Sequence, residues 1–161
     1  MLKGQRLKKK LVIFVPLALL LLGFLLYAGG CFDRPPQAAG NEILLKIRLD
    51  LGEDIGLLVI DHSLDGKEGS GGMSNADKSP LRRDEVLYWS FEKAADDTAE
   101  TADVLVRFTV VTEYVAPNFD NVYPEELMIS LEPLSFFARY GETVSLLIKG
   151  DRENGYQAIL E

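Results

Sequence analysis

An unbroken stretch of 21 uncharged residues, Leu11–Cys31, constrains the fold of this chain more than any other feature. As an α-helix with a rise of about 1.5 Å per residue, it would extend roughly 31 Å, close to the hydrocarbon thickness of a bilayer. Pro16 falls within the first two turns, where its missing N–H costs least. We therefore predict one N-terminal membrane helix, and residues 1–31 are set apart from the globular fold.

Charge is divided unevenly on the two sides of this stretch. The first ten residues hold five cations and no acid, whereas the residues after Cys31 hold 12 cations against 25 acids, a net charge of −13. Cations beside an apolar segment stay on the cytoplasmic side, so we expect the acidic part to be exported. Such an acidic domain repels nucleic acid, and we expect no nucleic-acid partner.

The small residues before the only cysteine resemble a bacterial lipoprotein cleavage site, with the sequence Ala28-Gly29-Gly30-Cys31. This resemblance covers residues 1–31 only, and it implies lipid attachment at Cys31. Three fates stay open for the segment: an uncleaved single-pass anchor, a lipidated Cys31, or cleavage followed by secretion. The first two both hold the remaining domain on the outer side of the cell membrane.

The residues after Cys31 divide into a spacer and a domain. Residues 32–40 contain Pro35-Pro36 and small residues, which favour an extended linker. The domain, residues 41–161, contains no cysteine, so it has neither a disulfide nor a thiolate metal site and depends on core packing.

Alternation of apolar and polar residues predicts about seven strands in this domain. Pro133 indicates an edge, a bulge or a break in the fifth of them, and the last two form a closing hairpin. We predict an all-β fold, an antiparallel β-sandwich with immunoglobulin-like topology, and a small barrel is the alternative. The predicted strands are 42–51, 55–61, 84–92, 103–115, 126–137, 142–150 and 155–161.

The segment between His62 and Pro80 is unusually long for a loop in a compact domain. Either it is a solvated loop, or it contains a short extra hairpin with Gly71-Gly72 near its tip. Its carboxylates offer hard oxygen ligands for Ca²⁺, although acids beside glycine are also common in plain turns. Apart from this calcium hypothesis, the sequence indicates no cofactor. The candidate ligands are Asp61, Asp65, Glu68 and Asp77.

Two aromatic segments are candidates for binding a partner. In one, Trp89 and Phe91 alternate on a face that either fills the core or, together with the outward Tyr88, forms a platform for a sugar or peptide. In the other, residues 114–124, Phe119 could anchor a partner and Tyr123 is a second candidate in the same loop, unless the loop folds back over the end of the sandwich.

Catalysis is not indicated. Asp61, His62 and Ser63 are the residue types of a hydrolytic triad, but neighbours on a strand point to opposite faces. We expect a non-catalytic binding or assembly module of a bacterial cell envelope, tethered to the membrane and acting on an envelope protein or polysaccharide. A calcium-stabilised adhesion module and a carboxylate-dependent glycan hydrolase are the alternatives.

Overall fold

Two β-sheets make up the part of the chain that the computed structural model describes, residues 35–114 and 123–161. A single 3-10 turn, Glu125–Leu127, precedes the sixth strand. Within these ranges the strands are β1 Glu42–Leu51, β2 Leu57–Leu64, β3 Lys67–Met73, β4 Val86–Glu92, β5 Thr101–Val111, β6 Met128–Ser130, β7 Leu134–Arg139, β8 Thr143–Asp151 and β9 Gly155–Leu160.

The first sheet has the strand order β4-β1-β8-β9, and the second has the order β3-β2-β5 with both β6 and β7 on the far side of β5. Apolar residues that alternate along the strands of both sheets are buried in one shared core. Phe108 of β5 and Ile47 of β1 are completely buried there. The predicted all-β sandwich is therefore confirmed, and the alternative of a small closed barrel is not, because the strands form two separate sheets.

The strand count differs from the predicted seven in two places. β3 was not among the seven predicted strands because its sequence, KEGSGGM, lacks apolar alternation, and of the two alternatives for this segment the structure shows the extra hairpin. The predicted strand 126–137 is divided into β6 and β7, with Pro133 between them at the edge of the second sheet. Proline has no N–H for the ladder, so pairing with β5 stops and resumes at this point.

Two further details correct the prediction. The extra hairpin turns at Asp65-Gly66, whose φ angles are 49° and 79°, so Gly71-Gly72 lies within β3 and not at the tip. The sandwich is also not purely antiparallel, since β1 and β8 pair in parallel. A parallel pair requires a long connection, and here it consists of β2 to β7, which include the whole second sheet and β4.

The predicted membrane helix at residues 11–31 lies outside the described residues. Within residues 35–114 and 123–161, no helix is long and apolar enough to cross a membrane.

Candidate functional site

Three aromatic rings meet where the β2–β3 hairpin approaches β4. The His62 ring of β2 has its centroid 4.8 Å from that of Phe91 and 6.2 Å from that of Trp89. Phe91 is buried, and Trp89 is partly buried and packs against the core. Of the two interpretations of Trp89 and Phe91, the one that turns them toward the interior agrees with this packing, and the ring of His62, for which no such contact was predicted, joins them.

The glycines of β3 make room for these rings. A Cβ atom added to Gly71 would stand 2.2 Å from Cη2 of Trp89, and one added to Gly69 would stand 2.5 Å from Nε2 of His62. Any larger residue at either position would overlap a ring. The glycine content of the segment therefore reflects close packing of β3 over Trp89 and His62.

A cavity of about 330 Å³ opens beside this aromatic group. Its wall combines rings from β2, β4 and the end of β7 with charged residues from the β2–β3 hairpin, from the end of β4 and from the loop after β4. The rings belong to His62, Trp89, Phe91 and Tyr140, and the charged residues are Asp65, Lys67, Glu68, Glu92 and Asp97.

Two buried polar atoms in this wall lack a hydrogen-bond partner among the described residues. They are Nδ1 of His62 and Nε1 of Trp89. A buried polar group without a partner costs about 1–3 kcal/mol, so native proteins seldom keep one without a reason. Both atoms belong to residues that line the cavity.

The cavity is electrostatically negative. Four carboxylates and one ammonium group line it, which leaves a net charge of −3 when His62 is neutral. Burial raises the pKa of the Tyr140 hydroxyl above its ordinary value, and the nearby Asp97 and Asp65 carboxylates raise it further. Nζ of Lys93 lies 5.0 Å from the centroid of the Tyr140 ring, in cation–π geometry.

The four predicted calcium ligands are not gathered into one site. Asp65 is held in the hairpin turn, where its Oδ1 accepts the N–H of Asp103 at 2.8 Å. Asp61 accepts the hydroxyl of Ser70 at 2.6 Å, and Asp77 accepts both the N–H and the hydroxyl of Ser79. Across residues 35–114 and 123–161, no group of three His, Cys, Asp or Glu side chains is placed to hold a metal ion.

The residues predicted to bind a partner are also separated. Tyr88 is partly exposed and pairs with Lys46 of β1, on the face of β4 opposite Trp89. Tyr123 is partly exposed just before the 3-10 turn. Phe119 and Cys31 lie outside the described residues. Of the described aromatic candidates, Trp89 and Phe91 line the cavity, whereas Tyr88 and Tyr123 do not.

The residues Asp61, His62 and Ser63 do not converge as a triad. Asp61 pairs with Ser70 on one face of the second sheet, whereas the His62 ring contacts Phe91 on the other. Ser63 shares the face of Asp61 because strand residues alternate. This separation follows the geometry expected from the sequence.

Comparisons with known proteins do not define a family. No family model matches the chain, and no curated protein matches it. Among solved structures, it is similar to pneumolysin, with 11% identity and a TM-score of 0.35 over 77% of this chain and 24% of that chain. A Gram-negative toxin gives 8% identity and a TM-score of 0.32 over 76% of this chain and 23% of that chain. The membrane-binding domain of pneumolysin gives 9% identity and a TM-score of 0.31 over 75% of this chain and 95% of that domain.

The chain therefore spans about a quarter of the length of the first of these structures. At these TM-scores the likeness defines neither a family nor a function.

Proposed function

We propose that this protein is a non-catalytic binding module of a bacterial cell envelope, tethered to the membrane and presented outside the cytoplasm. The cavity beside Trp89 is the observation that supports a binding role. It combines aromatic rings with polar and charged side chains, a composition typical of ligand sites, and two of its buried polar atoms have no hydrogen-bond partner among the described residues.

The tether is argued from the sequence. The uncharged stretch Leu11–Cys31 is long enough to span a bilayer. The five cations that precede it favour keeping the N-terminal end on the cytoplasmic side, which places the domain on the other side. Attachment is either through this segment as a helix or through lipid on Cys31. The domain would then follow a spacer that ends near Gly40.

An immunoglobulin-like arrangement is part of the proposal. In such folds a sheet of strands C′, C, F and G faces one in which B and E are neighbours. The order β3-β2-β5-β7 corresponds to the first set, and the adjacent pair β1 and β4 corresponds to the second. β8 and β9 extend the second set, with β8 parallel to β1, which departs from that family of folds.

Two experiments on bacterial cells that produce the full chain test the function. Protease added to cells stripped of their outer barrier is expected to digest the domain, and protection until lysis would contradict export. For binding, a photo-crosslinking residue is introduced as Glu68→p-benzoylphenylalanine in the cavity wall, with Lys149→p-benzoylphenylalanine on exposed β8 as the control. An adduct with an envelope component is expected only at position 68. Equal adducts at both positions, or none at position 68, would contradict a partner at the cavity.

A further inference from the structure

We propose that the cavity between the β2–β3 hairpin and β4 binds a protonated amine, such as a lysine side chain or a small diamine. This inference rests on the proposed binding function and names its ligand chemistry. The cavity volume of about 330 Å³ accommodates an alkyl chain that carries one ammonium group.

Aromatic surface is the first feature that favours a cation. The faces of Trp, Tyr and Phe rings are negative and attract an ammonium group within about 6 Å of the ring centroid. One cation–π contact of this kind is already present at the cavity wall, where the Lys93 ammonium lies 5.0 Å from the centroid of the Tyr140 ring. An incoming amine would make the same type of contact with Trp89.

The charge of the wall is the second feature. Glu68 and Asp65 on the hairpin and Glu92 on β4 outweigh the single lysine of the lining. The net charge of −13 on the residues after Cys31 adds an attractive field for a cation and a repulsive one for an anion. Anionic ligands are therefore disfavoured on both counts.

A hydrogen-bond acceptor is the third feature. Nδ1 of His62 is buried without a partner among the described residues, and when Nε2 carries the ring proton, Nδ1 accepts. An ammonium group has three donors, so it can meet this atom and a carboxylate together.

A neutral sugar is the competing ligand for an aromatic cavity. A sugar can stack on Trp89, but it gains nothing from the net negative charge of the wall. The observations favour the amine, and the sugar becomes an outcome of the test.

The chain provides its own reporters for this test. It contains one tryptophan and one histidine, Trp89 and His62, and both line the cavity. Trp89 fluorescence and the His62 ring resonances of the full chain in detergent are followed during titration with cadaverine. Pentanediol is the uncharged analogue, diacetylchitobiose is the neutral sugar, and N-acetyl-lysine methylamide separates a lysine side chain from a free diamine.

We expect a saturable change with cadaverine that weakens as salt is added, and no saturable change with pentanediol. Glu68→Gln is expected to weaken cadaverine binding about two- to fivefold. Glu126→Gln, the same charge change on the exposed 3-10 turn away from the cavity, is expected to leave it unchanged. Circular dichroism verifies that both variants are folded.

Equal binding of pentanediol, saturation by diacetylchitobiose alone, or no response to any amine would overturn the proposal. A crosslinked partner at position 68 together with no response to amines would leave the binding function standing and remove only its ligand class.

Discussion

The Tyr156 hydroxyl of β9 donates a hydrogen bond to the Glu53 carboxylate, which also accepts the backbone N–H of Arg152 at 2.9 Å. Glu53 follows β1, so this contact connects the β8–β9 hairpin to the turn at the end of β1. Tyr156 is 8% exposed. Burial raises the pKa of its hydroxyl, and the Glu53 carboxylate raises it further by accepting a hydrogen bond from the hydroxyl and by its negative charge.

We predict that Tyr156→Phe lowers the free energy of unfolding by about 0.5–1.5 kcal/mol at neutral pH, because it removes this hydrogen bond. The raised pKa means that the contribution is fully present below the ordinary tyrosine pKa of about 10 and is lost as the pH rises above it. Urea titrations at a series of pH values are expected to show a shallower alkaline decline for Tyr156→Phe than for the native chain. Some decline remains, since the pKa of Tyr140 is raised as well. Identical alkaline slopes would contradict this role of Tyr156.

Gly71 is predicted to be intolerant of a side chain. Gly71→Ala places a Cβ 2.2 Å from the Trp89 ring, and overpacking of this kind costs about 1–3 kcal/mol. The neighbouring Gly72→Ala is the matched control, because its nearest contact is a methyl group of Leu57 at 3.1 Å, at the end of a flexible side chain. Thermal denaturation should rank Gly71→Ala well below Gly72→Ala.

A smaller aromatic side chain at position 89 should relieve the overlap that Gly71→Ala creates. The double variant Gly71→Ala with Trp89→Phe is expected to be more stable than the sum of the two single effects predicts. Additive effects would mean that Gly71 is required for a reason other than its contact with Trp89.

Asp151 is predicted to stabilise the β8–β9 turn in a pH-dependent way. Its carboxylate accepts the amide and side-chain N–H groups of Asn154 and the N–H of Glu153, and these bonds lower its pKa. A lowered pKa gives a contribution that is present above the ordinary aspartate pKa of about 4 and is lost as the pH falls below it. Asp151→Ala is therefore expected to reduce the melting temperature at pH 7, with a smaller difference from the native chain near pH 3. Asp96→Ala, at an exposed turn, should change it little at either pH.

Two phenylalanines in the second sheet are predicted to differ sharply. Phe108 is completely buried in the core, and Phe108→Ala is expected to cost about 3–5 kcal/mol. Phe137 is 81% exposed, and Phe137→Ala should change stability by less than about 0.5 kcal/mol. Denaturant titration of both variants measures the contrast, and a large loss at Phe137 would indicate a contact that its exposure does not reveal.

The strands of the fold could be predicted wherever one face is buried. β1 and β5 alternate between apolar and polar residues because each has one face in the core. β3 was predicted only as part of an alternative hairpin, because close packing against Trp89 and His62 requires glycine in place of apolar side chains. The Asp65-Gly66 turn was the available signal, since Asp-Gly between extended segments favours a two-residue hairpin.

The candidate site could not be predicted, because it depends on contacts distant in sequence. Asp65 and Glu68 were selected as calcium ligands, and Trp89 and Phe91 as core or platform residues. Only the pairing of β2 with β3 and the packing of the two sheets bring them around one cavity. The parallel pairing of β1 with β8 is similarly non-local, and no local pattern specifies it.

That parallel pairing also determines how the domain would withstand a mechanical load. Along β1, residues 42–48 pair with β4 and residues 44–51 pair with β8. A tensile force applied at Asn41 and directed along β1 would load both ladders in shear, so their hydrogen bonds would have to rupture together and could not unzip one after another.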